Sequence, residues 1–280
     1  AAIVLGAGLG AVAHGVLSTR GPMHGLPQMI LSRAAFGYRG NILPAGLNSI
    51  ASGIGWFAVN WIYQVIRKPT ELFFPVSGVL NKTPAQTWRA YESLFRKHST
   101  HVITPELLAA LAQVEGSGNP VARTYWRVSL TPHPFEVYRP ASSAVGMYQI
   151  TDGTFEQARR YCVHDHVVVE DGPWNDPKSC WFNALYTRVL PSHAIEMTSA
   201  YLDVQVRRIL QRHRITTATL EQKQDLAAVI HLCGAGAGDR FARRGLRFTG
   251  GERCGDHDAR AYVERVRSMR RVFERLASKS

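Results

Sequence analysis

The carboxylate with the clearest chemical prospects is Glu115. Leu108, Leu111 and Glu115 fall three and four residues apart, which places them on one stripe of a helix. Thr104-Pro105-Glu106 predicts the start of that helix, with a capping hydroxyl, a proline at the first helical position and an acid in the first turn. Gly116-Ser117-Gly118-Asn119-Pro120 predicts its stop. A carboxylate on a leucine stripe at the end of a helix meets desolvation and the negative end of the helix dipole together. Those are the surroundings in which a general acid works near neutral pH. The plainer reading of the helix alone is a terminal carboxylate that reaches solvent.

Other groups of chemical interest are the cysteines, the histidines and the remaining acids. Cys162-x-His164-Asp165-His166 and Cys254-x-Asp256-His257-Asp258 contain metal-ligand types, but neither has the paired Cys-x-x-Cys spacing of a structural zinc site. No metal and no cofactor is expected. Cys162, Cys180, Cys233 and Cys254 allow three pairings, and the sequence does not decide among them. The neighbour pairing, Cys162 with Cys180 and Cys233 with Cys254, is the expectation, because each bridge closes a short loop containing turn residues in a compartment that permits oxidation. Free buried thiols are a further alternative. No second carboxylate is marked as a catalytic partner for Glu115: Asp152 and Glu136 read as a cap or a solvated charge.

Two ordered motifs surround Glu115. The first is Leu108-Ala109-Ala110-Leu111-Ala112-Gln113-Val114-Glu115 followed by Asn119-Pro120. The second is Ala141-Ser142-Ser143-Ala144-Val145-Gly146-Met147-Tyr148-Gln149-Ile150 with Thr154-Phe155. Together they resemble the lytic transglycosylase (SLT, goose-lysozyme-like) family over about residues 69–280. The resemblance implies a mainly α, lysozyme-like domain in which Glu115 is acid and then base. It implies that Ser117, Gly146, Met147, Tyr148 and Gln149 meet the glycan, with Tyr148 in place of the family's usual methionine. It also implies cleavage of the MurNAc-GlcNAc bond of peptidoglycan, assisted by the substrate's N-acetyl group and leaving a 1,6-anhydro-MurNAc end. Gly116 departs from the serine that usually follows the glutamate. The family's Ala-Tyr-Asn-Ala-Gly motif corresponds here to Leu232-Cys233-Gly234-Ala235-Gly236, so the tyrosine that steadies the glutamate is absent there and Tyr148 is the expected substitute.

The elements that position these residues are read from periodicity. Trp88, Tyr91, Leu94 and Phe95 predict a helix, and further helices are predicted over 154–162, 181–190, 193–213, 219–233 and 258–277. Thr219-x-x-Gln222 has the capping-box form. The last helix carries Val263, Val266, Met269, Val272 and Phe273 on one face and basic residues on the other. Tyr125, Trp126, Phe135 and Tyr138, in the loop from Val121 to Pro140, are candidates for a sugar-stacking wall or for core padding.

The N-terminal region differs in character. Residues 1–19 and Gly40 to Ile66 carry no Asp, Glu, Lys or Arg, and the second run suffices for a membrane span; a secretory signal is not recognisable. Arg20, His24, Arg33 and Arg39 between the runs predict a cytoplasmic loop, which places the chain after the second run on the outer face. Leu26-Pro27-Gln28-Met29 through Arg39-Gly40-Asn41-Ile42-Leu43-Pro44 and Gly53-Ile54-Gly55-Trp56-Phe57 resemble two transmembrane regions of the purine/cytosine permease (nucleobase:cation symporter) family. Trp56 and Asn60 fall on that family's substrate-site pattern. Two spans cannot form a transport pathway between repeats, so residues 1–66 read as a remnant or an anchor. The chain opens on Ala1, as a fragment or processed form does.

The expected organisation is therefore a hydrophobic segment 1–66, an extended linker 67–84 and a catalytic domain 85–280. The net charge of +12 favours an anionic partner. Cell-wall glycan and membrane are expected as partners, and nucleic acid is not, since no reader motif accompanies the charge. A periplasmic or cell-envelope enzyme is the leading reading. A lysozyme-type hydrolase, a non-catalytic wall-binding protein and a transport protein are its rivals.

Overall fold

The computed structural model describes Gly37 and residues 39–279. The apolar run 1–19, the basic loop residues Arg20, His24 and Arg33, and the permease-like motif as far as Phe36 lie outside the described residues. The described chain is mainly helical. Its α-helices are α1 (Ile42–Arg67), α2 (Pro84–Lys97), α3 (Pro105–Gly116), α4 (Asp152–Ala158), α5 (Pro191–Arg212), α6 (Leu220–Cys233), α7 (Ala235–Arg243) and α8 (Ala259–Ala277). Strands are short: β1 (Trp126–Val128), β2 (Tyr138–Pro140), β3 (Tyr161–His164), β4 (Val167–Glu170), β5 (Arg253–Cys254) and β6 (His257–Asp258). The chain separates into two compact units, one holding α1 as far as Gln64 with residues 132–138, the other holding residues 65–131 and 139 onward.

In the first unit, α1 is 26 residues long with a mean hydropathy of 1.4 in its apolar window. Among the described residues it is the one helix long and apolar enough to cross a membrane. Its amides are not left bare. Asn60 donates to the Tyr138 carbonyl at 2.7 Å and Gln64 donates to the Phe135 carbonyl at 2.8 Å. The Phe135 ring lies against Trp56 and Tyr63.

The second unit is built around α3. Thr104 accepts from the Leu107 amide, Pro105 opens the first turn, and Ser117 closes the helix in the left-handed conformation at φ 50°. Every residue from Leu107 to Ala112 is buried. That burial is possible because α2, α5 and α8 each pack against α3. Capping boxes start α2 at Thr83/Gln86 and α6 at Thr219/Gln222. Helix α8 turns Tyr262, Val263, Val266 and Phe273 into the core, as its apolar stripe predicts. Asp225 of α6 is ion-paired with Arg267 of α8, and Gln224 accepts from Arg270. These bonds fix the register of the two helices against each other.

The structure departs from the sequence expectation in three places. The helix expected over 154–162 ends at Ala158, and Tyr161–His164 forms β3 instead. The valine-rich β4 pairs with it antiparallel across a turn in which Asp165 and His166 have positive φ. The helix expected over 181–190 is a 3-10 turn, Trp181–Leu185, followed by non-helical chain up to Pro191. Residues 69–80, expected to be extended, wind into a 3-10 helix. The glycine-rich run after Gly234 opens α7, where a Cβ at Gly238 would overlap the Ile230 side chain. Small residues there allow close helix packing rather than breaking the helix.

Cys162 is bonded to Cys180 and Cys233 to Cys254, with Cα atoms 5.5 and 5.4 Å apart. Closing loops of this length stabilises the fold by about 3 kcal/mol each.

The 3-10 segment is fastened by a buried ion pair. Glu71 and Arg123 meet at 2.7 Å, with side chains 3% and 2% exposed. Burial pushes the Glu71 carboxyl up and the Arg123 guanidinium down, each opposed by the partner's charge. Desolvation thus outweighs attraction on both sides, and the pair matters chiefly through what remains when one member is lost. Arg123→Met is expected to cost about 3–5 kcal/mol of unfolding free energy, whereas Glu71→Leu with Arg123→Met together recovers most of that loss. Denaturant titration of the three proteins measures it.

Candidate active site

Glu115 occupies the last turn of α3, with its side chain 18% exposed. Two groups from other helices converge on its Oε1. The Tyr262 hydroxyl of α8 donates a short hydrogen bond to it. The Nε2 atom of His231, on α6, lies 3.7 Å from it. Burial raises the Tyr262 phenol well above its ordinary range, and the Glu115 charge adds to that shift. Tyr262 therefore stays protonated and serves as a permanent donor. Burial lowers His231, while the Glu115 charge and a main-chain hydrogen bond to Tyr148 oppose the shift.

The second motif packs directly behind this cluster. Gly146 has φ 82°, and a Cβ there would overlap the Arg188 carbonyl oxygen, so the position requires glycine. Met147 and Tyr148 are fully buried. Their side chains pack within the core. The Tyr148 hydroxyl donates to the Leu108 carbonyl at 3.1 Å. It is therefore spent on α3, and Tyr262, not Tyr148, supplies the hydroxyl to Glu115.

Gly116 also has a structural reason. A Cβ on it would lie 2.8 Å from the Met147 Cα, so the end of α3 seats against the backbone of the second motif. Gln149, at φ 47°, donates from its amide nitrogen to the Gly146 and Ala122 carbonyls at 2.8 and 3.2 Å. Both amide hydrogens are thereby used, and the amide oxygen remains to accept.

Gln149 and His231 line a cavity of about 190 Å³, together with Thr154, Thr198, Tyr201 and Ile230. The Thr198 hydroxyl is buried there with no hydrogen-bond partner among the described residues. Ser117 is not among the lining residues; it serves α3 as the left-handed cap.

Trp126 packs on Phe74 with ring centroids 5.3 Å apart, Tyr125 is largely exposed, and Phe135 and Tyr138 lie against aromatic residues of α1. Asp152 is held by Arg188 at 2.9 Å and Lys68 at 3.2 Å, so it is an ion-pair partner rather than a free second carboxylate. His231 and Tyr262 are the residues that sequence reasoning passed over. His231 lies three and four residues beyond Ala228 and Ala227, on the buried face of α6, and Tyr262 adjoins the apolar stripe of α8.

A family model described as a permease for cytosine/purines, uracil, thiamine and allantoin matches residues 1–65. Residues 1–65 resemble that permease family. The match ends before α2 and does not reach the Glu115 cluster. Together with α1 it supports a membrane location. Within the permease-like segment, Asn60 and Trp56 are both engaged by residues 132–138. Comparison with curated proteins and with solved structures gives no match.

Restoring serine after the glutamate tests the seating of α3. Gly116→Ser is expected to lower the unfolding free energy by about 1–3 kcal/mol, because the Met147 backbone must shift. Thermal denaturation measures the change.

Proposed function

We propose that residues 85–280 form a lysozyme-like lytic transglycosylase domain that cleaves the MurNAc-GlcNAc bond of peptidoglycan on the periplasmic side of a membrane, with α1 as its anchor. The observation that carries this reading is a single carboxylate, Glu115, held by a permanent hydroxyl donor and lying 3.7 Å from His231, which lines a cavity that holds the unpartnered Thr198 hydroxyl and that Glu115 itself does not line. Asp152 is tied into ion pairs, which suits a reaction that asks one carboxyl group to act twice.

In that reaction Glu115 passes its proton to the glycosidic oxygen as the bond to the MurNAc anomeric carbon breaks. The substrate's N-acetyl oxygen supports the electron-poor carbon. Tyr262 keeps its hydroxyl on the Glu115 carboxylate, fixing which oxygen faces the substrate. The sugar's 6-hydroxyl then attacks the anomeric carbon and gives its proton to Glu115, closing the 1,6-anhydro ring and restoring the acid. The Gln149 amide oxygen and the Thr198 hydroxyl are the groups in the cavity suited to meet sugar hydroxyl or acetamido groups. The net charge of +12 on the whole chain draws the protein to an acidic wall polymer.

Digestion of purified sacculi with the full chain is expected to release anhydro-muropeptides, and Glu115→Gln is expected to abolish the release. Tyr262→Phe is expected to lower kcat by about ten- to hundredfold, the worth of one hydrogen bond to a charged group. Reducing ends in place of anhydro ends would reassign the protein as a lysozyme-type hydrolase. Binding to sacculi without turnover would leave a wall-binding protein.

A further inference from the structure

Two helices bring ionisable side chains to one oxygen of Glu115, and a single-glutamate reaction explains only one of them. Glu115 is the acid, and Tyr262 is its fixed donor. His231 stands apart: it is 12% exposed, its Nε2 is 3.7 Å from Glu115 Oε1, and its ring meets the Tyr148 ring edge-on. The separation is within ion-pair range but too long for a hydrogen bond.

We propose that His231 is a positioning residue whose protonation sets the acid limit of the site: neutral, it leaves Glu115 to Tyr262; charged, it holds Glu115 as an ion-paired carboxylate that has no proton to give. This inference rests on Glu115 being the acid of the proposed reaction. The groups facing His231 support it. Helix α3 contributes Glu115, α8 contributes Tyr262 through the same oxygen, the second motif contributes Tyr148, and α5 contributes Tyr201 across the cavity. Asp239 of α7 is committed to Arg212 and His213. Among the described residues, Glu115 is thus the single carboxylate that faces the imidazole.

The sign of the effect follows from burial. His231 is pushed below the usual histidine range, so it is neutral at neutral pH and becomes charged on acidification. Folding stability linked to it therefore falls as pH drops below the ordinary histidine value. Catalysis by a lone glutamate needs that group protonated at the outset, so acid alone should not slow it. A loss of kcat/KM on the acid side therefore marks a second group.

The test has two arms, both with the full chain in detergent. In the first, the imidazole signal absent from His231→Gln identifies His231 by NMR, and its titration is compared in wild type and Glu115→Gln. The expected result is a midpoint displaced to lower pH in Glu115→Gln, because the charge that favours imidazolium is gone. An unmoved midpoint overturns the pairing, whether or not the protein cleaves glycan. In the second arm, wild-type kcat/KM on sacculi is expected to fall about tenfold per pH unit on the acid side, and His231→Gln to flatten that limb. His231→Asn serves if the glutamine variant does not fold. An acid limb unchanged in both variants overturns the proposal. A displaced midpoint without anhydro products overturns the transglycosylase reading and leaves the pair standing as a charge-coupled site.

Discussion

The hydrogen bond from Tyr262 to Glu115 is the contact on which the arrangement depends. It joins residues 147 positions apart in the chain, so it exists only when α8 has docked on α3. A buried phenol that cannot ionise is a donor and nothing else to the oxygen it faces. It fixes one carboxylate oxygen, Oε1. The docking in turn rests on burial of Val263, Val266 and Phe273 and on the clamp between Arg267 and Asp225. An apolar stripe alone would tolerate small slips along the helix. The ion pair, made by a carboxylate that is itself buried, does not.

Two close approaches show how backbone, rather than side chain, organises the site. Gly116 lets the end of α3 touch the Met147 backbone, and Gly146 lets the second motif turn against the Arg188 carbonyl. The sequence motifs are thus recognisable as motifs because their spacing serves packing. Met147 and Tyr148 belong to the core, and Gln149, one residue later and in the left-handed conformation, is the residue presented to the cavity.

Local rules carried much of this in the sequence. Thr104 and Thr219 announce helix starts, the leucine stripe places Glu115 at the end of α3, and the α8 stripe shows which face is buried. They fail where long-range contact decides. Tyr161 to His164 reads as the tail of a helix until β4 pairs with it, and Phe135 and Tyr138 read as a groove wall until α1 claims them. His231 and Tyr262 were visible as members of buried faces, but no spacing rule connects two residues on different helices to one carboxylate on a third. That convergence is a property of the tertiary fold.

The bridge between Cys233 and Cys254 has a consequence for how this site comes into being. Cys233 lies two residues beyond His231 at the end of α6, and Cys254 lies just before α8, which carries Tyr262. The bond therefore ties together the two chain segments that deliver the partners of Glu115. The bridge shortens the tether between the two partners from the 21-residue stretch of chain between the cysteines to a single covalent link.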